Sequence, residues 1–158
     1  MRYNIRMEYK FISPQKPFAN TEEEILHLRK LIAEKEADLN RIGIKKDEMH
    51  PAKQVLAEYK VAPEKQVLKK EYSLTEEEKE NIVLKITPEE HDKQVSSLVL
   101  LAKTKGIKNA LSVVEKMNNF HITDDFHRFL AEYLKEGFTI SGFDSKERIS
   151  KSLGMVLY

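Results

Sequence analysis

His121, Asp124, Asp125 and His127 are the one cluster in this chain whose residue types suit a metal ion. If a helix begins near Thr123, Asp124 and His127 lie three residues apart on one face, and His121 can reach over from the preceding loop. Those three would form a small metal-dependent centre. A plainer role competes: acidic residues in a first turn offset the positive end of the helix dipole, with His127 hydrogen-bonded to Asp124. The spacing matches no strong ligand motif. The helix-start reading is therefore preferred, and no metal or other cofactor is expected.

Lys103, Lys105, Lys108 and Lys116 are the candidates for contact with nucleic acid. Ala102 and Gly106 have the four-residue spacing of a helix-turn-helix, but Ser112 and Glu115 stand where that motif packs apolar side chains. Bulk charge offers no help: 27 Lys and Arg face 26 Asp and Glu, a net charge of +1. Phe120, Phe126, Phe129 and Tyr133 could stack on a ligand, although aromatics at helical spacing belong more often to a core. Of enzymatic motifs there is no phosphate loop, no nucleophile elbow and no H-E-x-x-H pair. The five glycines, at 43, 106, 137, 142 and 154, form no phosphate cradle, and with no cysteine a thiolate nucleophile or metal site is impossible.

The elements that must position these residues read as helices. Thr21 with Glu24 suggests a capping box, followed by an apolar stripe of Ile25, Leu28, Leu31, Ile32 and Leu39 that ends near Gly43. Pro51–Leu56 and Pro63–Leu68 echo one another twelve residues apart, and each reads as a short helical turn opened by proline. Thr75 with Glu78 forms a second box. Thr87-Pro88-Glu89-Glu90 forms a third, opening a helix through Leu98 and Ala102 to Gly106. Ile107, Ala110, Leu111, Val114 and Met117 line the next helix, broken at Asn118-Asn119. Thr123 caps the last, whose face carries Phe126, Phe129, Leu130, Tyr133 and Leu134.

Residues 2–12 alternate apolar and polar like a half-buried strand. Met155–Tyr158 is a short apolar run, and pairing between the two would give each a partner. An apolar ending of this kind also suggests a chain that continues into a further domain. The longest apolar run, Leu98–Ala102, falls far short of the roughly 20 residues of a membrane helix. The amino terminus has no apolar core of a secretory signal, so a cytoplasmic location is expected.

Three segments carry a resemblance: Ile82–Asp92, Lys105–Met117 and Asp124–Leu130. Together they resemble the N-terminal region of long bacterial proteins of uncharacterised role, in which this region runs on into domains associated with type IV secretion or conjugation-type ATPases. The similarity spans Tyr59 to Tyr158, with Phe120 standing where the family would have proline. It implies that any ATPase chemistry lies outside this chain, and it transfers no catalytic or binding residue.

The expected fold is mainly α, a bundle of four to six helices with a helical hairpin around Gly106 and short strands at the two ends. Residues 1–20 would form an N-terminal strand or arm, 21–137 the helical domain, and 138–158 a segment leading into a further domain. The expected function is that of a non-catalytic interaction or adaptor module, binding a protein partner or an adjoining domain through the charged helix 21–40 and the outer side of helix 124–135. A nucleic-acid-binding helical module is the alternative, and a small metal-dependent enzyme the third.

Overall fold

A computed structural model describes residues 11–45 and 49–136. The expected strands at 2–12 and 155–158 lie almost wholly outside them. Phe11 and Ile12, the two residues of the first strand that are described, have no regular structure. Among the described residues the fold is all helical: α1 (Thr21–Arg41), α2 (His50–Val61), α3 (Glu64–Val67), α4 (Glu76–Ile86), α5 (His91–Lys105), α6 (Ile107–Met117) and α7 (Phe120–Glu136). That is one more helix than the upper expectation, because both copies of the proline echo are helical, though unequally. Its first copy lies within the three turns of α2, whereas its second makes only the single turn of α3.

Helix α6 runs through the middle, packed against α4 and α5 and touching α1, α2 and α7. Its apolar positions Ile107, Ala110, Leu111, Val113 and Val114 are all buried. Complete burial of side chains of this size contributes about 1.5–3 kcal/mol for each of the larger ones, enough to hold a short helix that has no cap of its own. Leu28 of α1, Tyr59 of α2, Leu98 of α5 and Phe126 and Leu130 of α7 close the core around it. The expected hairpin is present: α5 ends at Gly106 and α6 starts at the next residue. Before α1, Phe18 makes a single parallel bridge to Leu68, with Phe18 N–H on Val67 O at 2.7 Å and Lys69 N–H on Phe18 O at 2.9 Å.

Of the three expected capping boxes only Thr75/Glu78 forms, with both reciprocal bonds in place. At α1 the cap is Asn20, whose side chain accepts from Glu23 N–H, while Glu23 accepts from Ala19 N–H. Glu24 instead turns into the core. Thr87 ends α4, donating its hydroxyl to Val83 O, and α5 begins only at His91. Thr123 lies inside α7, which starts three residues earlier. Asn119 provides the start there, accepting from Ile122 N–H at 3.2 Å, and Thr123 donates back to the Asn119 carbonyl at 2.9 Å. At α1 and α7 an asparagine one position or one turn away takes the role, because Asn competes as well as Thr for a cap. At α5 the N-cap residue, Glu90, makes no side-chain cap bond.

Candidate functional site

The densest polar chemistry lies where α6 begins. Glu24 is 0 % exposed, and each of its carboxylate oxygens accepts two hydrogen bonds. Oε1 takes Tyr72 Oη at 2.9 Å and Ile107 N–H at 2.8 Å. Oε2 takes Tyr59 Oη at 2.5 Å and Lys108 N–H at 2.7 Å. Gly106, at the N-cap of α6, has no side chain to offer, so the carboxylate caps the helix from 83 residues away. A negative charge at a helix amino terminus meets both the free N–H groups and the dipole.

The next residue returns the favour to α2. Lys108 is 4 % exposed, and its ammonium donates to the Tyr59 and Lys60 carbonyls at the end of that helix, both at 2.8 Å. It also lies 5.5 Å from the centre of the Tyr59 ring, a cation–π distance. Asn109 donates to Tyr72 O and Lys105 O and accepts from Leu74 N–H, tying the α5 carboxyl end to the loop before α4. Burial raises the Glu24 carboxyl above its ordinary range and outweighs the four donors that pull it down. Burial, then the Glu24 charge, pushes Tyr59 well up. Burial lowers Lys108, with the Glu64 charge acting the other way. These shifted groups face one another and the backbone, as a joint between helices.

A second polar set binds α3, α4 and α6. Lys79, almost fully buried, pairs with Glu64 at 2.7 Å and reaches Glu76 at 3.4 Å, while Lys116 pairs with Glu76 at 2.8 Å. Glu64 also accepts from the Ser73 hydroxyl.

The candidate nucleic-acid lysines do not share one surface role. Lys108 is inside the protein, Lys116 is in an ion pair, Lys105 is exposed at the end of α5, and Lys103 lines a groove described below. The candidate metal residues divide as well. His121 lies on the first turn of α7, exposed beside the Phe120 ring. Asp124 and His127 line a pocket against α2 together with Lys53, Leu56 and Arg128. Asp125 turns to α5, bonded to His91 Nε2 and to Arg128, both at 2.6 Å. Among the described residues no three His, Asp or Glu side chains gather to hold an ion. Phe126 and Tyr133 are core residues, Phe129 is partly buried, and Phe120 is exposed.

Burial lowers the His127 pKa below 6.5, the Lys60 charge adds to this, and Asp124 opposes it. The unfolded chain then takes up a proton more readily than the folded one. The contribution is fully present above pH 6.5 and is lost as pH falls through the folded value. Melting temperatures measured across that range should fall on the acid side, and fall less in His127→Gln. Parallel curves for the two proteins would show that His127 does not carry the effect.

A groove of about 480 Å³ is lined by Thr21, Glu22, Ile25, Leu26, Arg29, Lys103 and Tyr133. It lies where α1 meets α5 and α7. Leu26 stands 68 % exposed at its edge, and Leu100, 59 % exposed, is one helical turn before Lys103. Thr21 connects groove and joint, since its hydroxyl is hydrogen-bonded to Tyr72 Oη at 3.1 Å and donates to it while the phenol donates to Glu24. No helix among the described residues is long and apolar enough to cross a membrane. Compared with known protein families, with curated proteins and with solved structures, the chain matches none.

The residues missed in the sequence were Glu24, Tyr59, Tyr72 and Asn109. One signal pointed to Glu24 alone: Gly106 offers α6 no side-chain cap, so its first N–H groups need an acceptor from elsewhere.

Proposed function

We propose that this chain is a non-catalytic interaction or adaptor module, part of a larger secretion- or conjugation-related protein and resident in the cytoplasm. The observation that carries the reading is the pair Leu26 and Leu100, two large apolar side chains left exposed beside an apolar-floored groove with charges at its rim. Surfaces of that composition suit a protein partner, with apolar contact at the centre and polar contact around it. The strongly perturbed ionisable groups support the same reading, because Glu24, Tyr59 and Lys108 are engaged in holding helices together. A rigid joint beneath a groove keeps the docking face in one shape.

The test is site-specific photocrosslinking in the source organism. A crosslinker at Leu26 or Leu100 should give one adduct, saturable by excess unlabelled chain and lost in Glu22→Lys/Arg29→Glu. Leu84, equally exposed on α4, serves as the control position. Equal adducts from Leu84, or adducts indifferent to the competitor, would refute the docking face. The mass of the natural gene product then separates a partner protein from an adjoining domain.

A further inference from the structure

A second pocket, independent of the groove, occupies about 310 Å³ between α2 and α7 and is lined by Lys53, Leu56, Asp124, His127 and Arg128. It contains two of the three residues that suggested a metal, yet its charge has the opposite sense. Lys53 and Arg128 bring positive charge from two helices, and Lys60 acts on His127 in the same direction. Asp124 opposes them within the pocket. Asp125 engages Arg128 through one guanidinium nitrogen at 2.6 Å, and the remaining N–H donors of that group are more numerous than the one used.

His127 supplies the second observation. Its Nε2 is buried and has no hydrogen-bond partner among the described residues. Native proteins seldom leave a buried ring nitrogen so, unless a water, ion or ligand completes it. The volume is at the lower end for small-ligand sites, about 300–1,000 Å³, and exceeds what a bare ion fills. A divalent cation would meet two fixed positive charges there. An anion would meet one acidic side chain, which can instead accept from a hydroxyl.

We infer that the α2/α7 pocket binds a small hydroxylated oxyanion, a phosphate monoester or a carboxylate, with Lys53 and Arg128 on the anionic group, His127 beside it and Asp124 accepting from a ligand hydroxyl. Charge-assisted hydrogen bonds to the oxyanion would provide most of the affinity. Leu56 gives the carbon skeleton an apolar wall.

Glycerol phosphate and lactate are the two probes, titrated into the intact chain while the His127 ring resonances are followed by NMR. Saturable shifts are expected from one of them, and the one that binds identifies the anionic group. The bound anion should raise the His127 titration midpoint, because its negative charge favours the imidazolium against the Lys60 charge. Lys53→Ala and Arg128→Ala, both exposed positions, should each weaken binding about tenfold, the ratio that one lost charged contact commonly produces. Asp124→Asn should leave the chain folded and reduce the preference for glycerol phosphate over propyl phosphate, or for lactate over propionate, the same anions without the hydroxyl. Shifts matched by sodium chloride at equal ionic strength, undiminished binding in Lys53→Ala, or silence with both probes would each overturn the assignment.

Discussion

Replacing Glu24 with alanine should destabilise the protein by about 4 kcal/mol or more, a large part of the 5–15 kcal/mol typical of a whole domain. The truncation removes acceptors from four donors at once, two of them backbone N–H groups at a helix start. Each buried donor left unsatisfied costs about 1–3 kcal/mol, and water entering the vacated space recovers only part of that. Glu24→Gln should cost less, roughly half, since one oxygen survives while the amide NH2 faces two donors. Tyr59→Phe removes a single bond and should be milder again. Chemical denaturation of these three beside Glu22→Ala, an exposed neighbour, makes the comparison. A Glu24→Ala loss no greater than that of Glu22→Ala would mean that the carboxylate caps nothing.

Gly106→Ala is the second large effect, and it comes from two separate causes. The residue has φ of +103°, a conformation that side chains rarely adopt, with a strain cost on the order of 1–3 kcal/mol. A Cβ there would also lie 2.0 Å from Tyr72 Oη and 2.9 Å from Glu24 Oε1. Tyr72 must then leave, giving up its bonds to Glu24 and Thr21. Together the loss should be about 3 kcal/mol or greater. A double-mutant cycle separates the causes. In a Tyr72→Ala background the clash with the ring disappears, and the remaining cost of Gly106→Ala reports the backbone strain. Strict additivity of the two substitutions would show that they do not meet.

How much of this could be read from the chain follows from how local each signal is. The stripes of α1 and α6 and the breaks at Gly43, Gly106 and Asn118 were legible, because periodicity and positive φ depend on adjacent residues. The cap positions slipped because Asn20 and Asn119 were equal competitors to Thr21 and Thr123, and local sequence does not rank such neighbours. Lys108 looked like a surface cation, since one helical turn carries no information about what is laid across it. Glu24 looked like a capping-box partner for the same reason. Asp124 and His127 do line one pocket, but α7 starts at Phe120, so Asp124 lies beyond the first turn, and among the described residues its expected bond to His127 is absent. Lys53 reaches the pocket from α2, far earlier in the chain.

The long-range cap on α6 also ties Glu24 of α1 to a segment synthesised 83 residues later. Until Ile107 and Lys108 leave the ribosome, the Glu24 carboxylate of α1 has no backbone N–H to receive, and the Tyr59 and Lys60 carbonyls at the end of α2 have no ammonium. A chain that stops before Gly106 should therefore keep the Glu24 carboxylate in water and leave the apolar faces of α1 and α2 without their α6 cover, a state that limited proteolysis of the truncated chain would reveal. The joint between α1, α2 and α6 is complete only once Gly106, Ile107 and Lys108 are in place. An account of how this protein matures in the cell starts with what shields α1 and α2 during that interval.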